Sequence, residues 1–257
     1  MRFLLPPNKK IYFASDLHLT MAPDKDSRRR EFDFVRWLDS VKNDAAAIFL
    51  LGDMFDFWFE YRHVVPRGFV RFLGKLAELT DSGIPIYFFT GNHDQWIRNY
   101  LRYEMNISIY HQPEEFDLNG KRFLIGHGHD ISPENFGDQI LNFVFSNRIF
   151  RMLYALLHPF WGIAFGKNWS RGSRKRHGIT QPFDGLEKEA IVKYARKQLA
   201  KKQYDFFIFG HRHLAQDVRL SDSSRYINTG EWMEAQTFAV FDGEDMSLHS
   251  AKNKIDQ

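Results

Sequence analysis

The 257-residue chain is 44% apolar and 16% aromatic, enough to bury a sizeable core in one large α/β domain. Its 35 basic and 32 acidic side chains leave a net charge of only +3, so global charge does not demand a nucleic-acid partner. It has no cysteine, which excludes disulfides, thiolate metal sites and cysteine nucleophiles; any transition metal must be held by imidazole, carboxylate or amide.

In chain order, the first ten residues offer an apolar run too short for a signal-peptide core, and a cytoplasmic location is expected. Residues 11–14 read as a buried strand that runs into Asp16-Leu17-His18. Arg28 to Arg30 read as a solvated face near a loop. A helix follows over 31–42, with Phe34, Val35, Leu38 and Val41 on one face. The strand over 46–51 ends at Gly52-Asp53-Met54-Phe55-Asp56. Helix 68–79 and strand 84–90 come next, and the strand ends at Gly91-Asn92-His93-Asp94. Strands alternating with helices point to βαβ units and a largely parallel core.

Strand 122–125 leads into Gly126-His127. Residues 131–180 read as a helical lid inserted in an otherwise regular domain spanning 1–257. Their apolar stripe is too wide for one ordinary face, although 140–165 also suits an ordinary core helix pair. The apolar run 152–166 holds fifteen residues and is interrupted by Pro159, short of the about 20 needed to span a bilayer. Basic residues from Lys167 to Arg176 follow, with Arg171 and Arg174 as candidate phosphate contacts. A cationic amphipathic helix over 186–202 feeds strand 205–209 and then Gly210-His211-Arg212-His213. The tail strands 217–220, 225–228, 237–241 and 246–249 have no helices between them, and predict a second, antiparallel-rich sheet packed on the first.

Five motifs thus stand behind apolar strands, and the carboxyl ends of strands in open α/β sheets are where ligands bind. Two divalent cations about 4 Å apart clamp a phosphoryl group and activate water. A carboxylate such as Asp53 suits the bridging position. Asp16 and His18 can reach one metal together, and His211 and His213 can be divided between two. Asp56 suits a hydrogen bond to a metal-binding imidazole, or equally a helix N-cap. His129 lies close enough to support a ligand. The remaining His63, His111, His158, His177 and His249 read as surface or capping residues.

The ordered set closely resembles the calcineurin-like metallophosphoesterase superfamily. That resemblance implies a four-layered α/β/β/α sandwich. It implies Asp16, His18, Asp53 and His213 around one metal, and Asp53, Asn92, His127 and His211 around the other. It makes His93 the catalytic histidine, oriented by Asp94. A narrower resemblance, to UDP-2,3-diacylglucosamine hydrolases of lipid A biosynthesis, covers Phe13 to His18, Gly52 to Trp58, the apolar insertion, Trp169-Ser170-Arg171 and Ile227 to Trp232. It implies water attack on the pyrophosphate, releasing UMP and 2,3-diacylglucosamine 1-phosphate. Two divalent ions, with Mn2+ favoured, would serve the reaction. Asn92, His93, Arg171 and Arg174 would meet a lipid-linked sugar nucleotide, with the protein peripheral on the cytoplasmic face of the inner membrane. Two positions depart from the better-known branch: His93 stands where it carries arginine, and His129 where it carries aspartate. The rival reading is a phosphodiesterase or nucleotide pyrophosphatase with a soluble substrate and the same metals.

Overall fold

The structure, a computed structural model, describes residues 1–21, 24–131, 147–166, 168 and 185–252. Its strands are β1 (Arg2–Phe3), β2 (Lys10–Ala14), β3 (Ala45–Leu51), β4 (Ile86–Phe89), β5 (Ser108–Tyr110), β6 (Glu114–Leu118), β7 (Lys121–Ile125), β8 (Phe206–Phe209), β9 (Gln216–Ser221), β10 (Ser224–Asn228), β11 (Thr237–Phe241) and β12 (Met246–Ser250). The helices used below are α1 (Lys25–Val41), α2 (Val70–Asp81), α3 (Tyr100–Met105), α4 (Arg148–Ala155) and α5 (Ala190–Leu199).

Two six-stranded sheets form, in the orders β12-β11-β2-β3-β4-β5 and β1-β6-β7-β8-β10-β9. β2, β3, β4 and β5 pair in parallel, as do β7 with β8 and β8 with β10. Strands 11–14, β4 and β8 are buried at every position, because both faces of a central strand are covered and neither needs polar residues. Alternate side chains divide the work. Phe13 and Phe49 face Phe123 and Phe116 of the other sheet, at ring separations of 6.3 and 5.2 Å. Tyr12, Ile48, Leu50 and Phe88 turn outward onto Phe34, Trp37, Phe72 and Leu76 of α1 and α2. On the opposite outer face, Leu124, Phe207 and Tyr226 pack on Ile191, Val192 and Ala195 of α5. The result is a helix/sheet/sheet/helix stack, the architecture expected. Each fully buried phenylalanine in it contributes about 2 kcal/mol of burial.

The tail departs from expectation. β9 and β10 join the sheet of β7 and β8, with β10 parallel to β8, while β11 pairs antiparallel to β2 and brings β12 to the other sheet. The tail strands therefore complete both sheets and build no separate antiparallel one. The physical reason is edge protection: β2 and β8 each have an unpaired side that one late strand can cover.

Most of the expected lid lies outside the described residues, as do Arg171 and Arg174. Its described portion comprises α4 and a helical stretch over 159–166. α4 buries none of its residues, and Ile149, Met152, Leu153 and Leu156 stand more than half exposed, which does not suit a core helix. Tyr154 packs on the buried cluster Phe57, Phe59 and Trp96. Gly166 meets the Phe57 ring so closely that a Cβ there would fall 2.2 Å from it. This portion therefore sits on the loop that continues from the Asp53-to-Asp56 motif. No helix of the described residues is long and apolar enough to cross a membrane.

Candidate metal centre

All five motifs follow strands at their carboxyl ends: β2, β3 and β4 in one sheet, β7 and β8 in the other. Since those strands are neighbours within each sheet, the packing of the two sheets brings the five loops to one rim. The chain reverses sharply there. Asp16, His18, Asp53, His211 and His213 all take positive φ, between 49° and 69°, a region that non-glycine residues rarely enter. Such strain persists only where surroundings over-determine it, and clusters at functional sites.

Those surroundings are specific. Trp232 donates its backbone N–H to the Asp16 carbonyl at 3.1 Å, and its ring packs on Phe34 of α1. Asn228 Nδ2 donates to the Gly210 carbonyl at 2.6 Å, and Ser15 Oγ lies 2.7 Å from Thr229 Oγ1 while also bonding Asp16 Oδ2. The segment Ile227 to Trp232 thus braces two ligand loops. Arg30 donates to the carbonyls of Leu17 and His18 at 3.2 and 3.0 Å, so it ties α1 to the first motif and is no solvated arginine. Gly52, Gly91 and Gly210 permit the approach itself. A Cβ on Gly91 would fall 2.2 Å from Asp53 Oδ1, and one on Gly210 2.7 Å from Asp16 Oδ2.

Two groups of donors result, each within 4.8 Å: Asp16, His18 and His213, and Asp53, His127 and His211. Asp16 Oδ1 lies 3.1 Å from His213 Nε2, and His18 Nε2 lies 3.2 Å from His213 Nε2. Asp53 stands between the groups, its Oδ2 being 3.8 Å from His18 Nε2 and 3.5 Å from His127 Nε2. A third convergence joins His18, Asp56 and His93, with Asp56 Oδ1 3.2 Å from His18 Nδ1. Of the two roles open to Asp56, the structure displays the contact with an imidazole.

His127 Nδ1 lies 2.6 Å from the Leu51 carbonyl. A carbonyl only accepts, so Nδ1 carries the proton and Nε2 is turned to the site. His93 is held in the same way, Nδ1 donating to the Asp56 carbonyl at 2.9 Å. Asp94 has partners other than those expected. Its carboxylate accepts from the backbone N–H groups of Gly91 at 2.7 Å, Met54 at 2.9 Å and Phe55 at 3.4 Å. It clamps the loops that carry Asp53 and Asn92, and orientation of the His93 ring falls to the Asp56 carbonyl.

The electrostatics follow from burial opposed by charge. Burial would raise the carboxyl of Asp53, but the imidazoles of His127 and His93 hold it well below the usual range; burial would raise Asp16 too, and His213 holds it below its ordinary value. Burial pushes His211 well down, reinforced by His127, and pushes His18 down. Burial would lower His127 too, yet Asp53 prevails and raises it to about 10. Burial and then His127 drive His129 to about 3, and burial with the Asp53 charge lifts Asp94 to about 7.

The donor set fits divalent ions. Asn92 Oδ1 is buried with no hydrogen-bond partner among the described residues, and His127 Nε2 is buried with only a distant carboxylate. Hard oxygens mixed with imidazoles, without thiolate, suit first-row divalent metals.

The calcineurin-like phosphoesterase family matches the chain over residues 9–215. With that match and this arrangement of strands, loops and donors, the chain belongs to that family and is a metal-dependent hydrolase. Among its relatives is the UDP-2,3-diacylglucosamine hydrolase of Porphyromonas gingivalis, 39% identical over 95% of this chain and 98% of the relative. The enzyme of the same name from Stenotrophomonas maltophilia is 27% identical, covering 92% and 96%. Among solved structures, the phosphoesterase Yfce from E. coli is similar, with a TM-score of 0.48, 14% identity, and coverage of 95% and 94%.

Proposed function

We propose that the protein hydrolyses the pyrophosphate of UDP-2,3-diacylglucosamine by water attack, giving UMP and 2,3-diacylglucosamine 1-phosphate. The observation that carries this reading is the 39% identity, over nearly the full length of both chains, to a hydrolase of that name. The site's chemistry supports it. Asp16, His18, Asp53 and His213 would hold one divalent ion, and Asp53, Asn92, His127 and His211 the other. Bound, such ions polarise phosphoryl oxygens and lower the pKa of water. The mixed oxygen and imidazole donors fit several first-row divalent ions, and Mn2+ is the one we favour on the family resemblance.

The chain's own residues divide the remaining work. Asp53 lies between the two groups and offsets the repulsion of two like charges. Asn92 adds a neutral oxygen that cannot titrate. His93, fixed through Nδ1 by the Asp56 carbonyl, presents its other nitrogen to a phosphoryl or leaving oxygen and serves there as proton donor. Asp94 acts on the loop backbone and keeps the second and third motifs in register.

The lipid half of the substrate finds apolar surface at the rim. Ile149, Met152 and Leu153 of α4, with Leu156, Phe160, Trp161 and Phe165 beyond it, are exposed beside the loop that continues from Asp56. We assign them to acyl chains and to the cytoplasmic face of the inner membrane, with the protein bound peripherally. Residues 131–180 act as the lid in this reading, and Arg171 and Arg174 as phosphate contacts.

The test is a direct comparison of rates on UDP-2,3-diacylglucosamine and on a simple aryl phosphodiester, with Mn2+ present. A large preference for the diacylated sugar nucleotide is expected. Equal or faster turnover of the aryl ester would move the assignment to a soluble phosphodiester.

A further inference from the structure

A cavity of about 700 Å3 opens between α1 and the end of β12, and no ligand of the metal centre lines it. Five of its lining residues are cations: Lys25, Arg28, Arg29, Arg36 and Lys252. The spacing explains the first four. Residues 25, 28, 29 and 36 recur along one stripe of α1, while Phe34, Trp37 and Leu38 occupy the face buried on the sheet.

The floor of the cavity is built. Asp33 and Gln236 are both buried there, and Gln236 Nε2 donates to Asp33 Oδ2 at 3.2 Å. Gln236 takes a φ of 52°, a left-handed conformation costly to a non-glycine residue. Asp33 stands 3.6 Å from Arg29 Nε and 3.6 Å from Arg36 Nη1, one carboxylate between two guanidinium groups. At that length Asp33 draws both arginines to the cavity without using up their donors, and both side chains remain mostly exposed. Lys25, Arg28 and Lys252 add three more positive charges against this single acid. One wall is apolar: Phe32, under the Arg71 guanidinium at 4.6 Å.

We propose that this cavity is a second anion site, which binds a phosphate group carried on a small organic body. Its volume lies in the range of about 300–1,000 Å3 typical of small-molecule sites. Paired guanidinium groups match phosphate oxygens two at a time, and lysines add charge without geometric demand. Phe32 supplies the surface for the non-phosphate portion. The phosphate has two sources: a free phosphorylated metabolite, or the head group of an anionic phospholipid.

The test uses the full chain loaded with Mn2+. Equilibrium dialysis with radiolabelled inorganic phosphate is compared between the wild type and the triple variant Arg29→Gln, Arg36→Gln, Lys252→Gln. Co-sedimentation with phosphatidylglycerol and with phosphatidylcholine vesicles runs alongside. In the wild type, phosphate binds at the metal centre and at a second class of site. In the variant that second class weakens at least about tenfold, the loss of one charged hydrogen bond, while hydrolysis continues at the wild-type rate. Loss of phosphatidylglycerol binding in the same variant identifies the head group as the source; retained vesicle binding with lost phosphate identifies the free metabolite. A control triple, Lys188→Gln, Lys193→Gln, Lys201→Gln, removes equal charge from exposed positions elsewhere and leaves the second class in place. Unchanged phosphate and vesicle binding in the first triple overturns the proposal, as does an equal loss in the control.

Discussion

Gly91→Ala places one methyl group at the point where the site is tightest. Gly91 does not have positive φ, so alanine meets no conformational penalty and the effect is steric alone. The new Cβ would lie 2.2 Å from Asp53 Oδ1 and 2.7 Å from its Cγ and its backbone nitrogen. Non-bonded carbon and oxygen need a separation of well over 3 Å, so the Asp53 carboxylate must retreat by about 1 Å. Asp53 Oδ1 also accepts the His93 backbone N–H at 2.9 Å, so the displacement reaches His93, the proposed proton donor, as well. A misplacement of about 1 Å at a reacting centre costs about 100-fold in rate, about 2.7 kcal/mol of transition-state stabilisation. Metal content by elemental analysis and kcat/KM on the diacylated sugar nucleotide should fall together, with the far-ultraviolet circular dichroism preserved. Gly74→Ala in α2 is the control: nothing lies within 4 Å of its Cβ, and relief of a mid-helix glycine should add about 0.5–1 kcal/mol of stability. Wild-type metal content and rate in Gly91→Ala would refute the claim that Asp53 is held by this close approach.

Other consequences are independent of that contact. Asp56→Asn removes the carboxylate beside His18 Nδ1 and should weaken metal affinity about 10–100-fold, read by competition with a chelator. Glu189→Ala removes the carboxylate that pairs with Arg212 at 2.7 Å, between His211 and His213, and should cost about 3 kcal/mol in urea unfolding. Lys75 lies between Asp39 and Glu78, and hydrogen bonds from Lys75 and Lys42 hold both carboxyls below their usual range. A depressed carboxyl stabilises the fold above its unfolded pKa and loses that contribution as pH falls through its folded one. The wild type should therefore lose more stability between about pH 6 and pH 3 than Lys75→Met does, and equal losses would discount the network. Stripping divalent ions should lower the Tm, since ions at 100 times their Kd stabilise by about 2.7 kcal/mol.

The motifs were legible because their residue types are forced by chemistry and their positions by apolar strands that announce themselves. Residues 11–14 and 46–51 could be read to within one residue of β2 and β3, since fully buried strands have no polar interruptions. β5 and β6 went unread: three residues in one case, and acidic Glu114, Glu115 and Asp117 in the other, give no apolar run. The partition of the tail between two sheets was illegible too, since strand pairing is a non-local choice that alternation does not encode. At the site, the sequence pattern carries donors but not their supports. Arg30 reads as one of three consecutive arginines, yet its bonds reach the Leu17 and His18 carbonyls. Asp94 follows His93 in the chain and invites pairing with it, whereas three backbone amides claim its carboxylate. The signal that could have exposed both is the run of non-glycine residues in left-handed conformation, and φ is not written in residue identity.

In the proposed reaction, water activated at this centre attacks the uridine-side phosphorus of a lipid-linked diphosphate. A single turnover of UDP-2,3-diacylglucosamine in heavy-oxygen water, with the products resolved by mass spectrometry, tests it most directly. The label is expected in UMP, with none in the sugar phosphate. Label confined to 2,3-diacylglucosamine 1-phosphate would contradict it, and so would the absence of any product from this substrate.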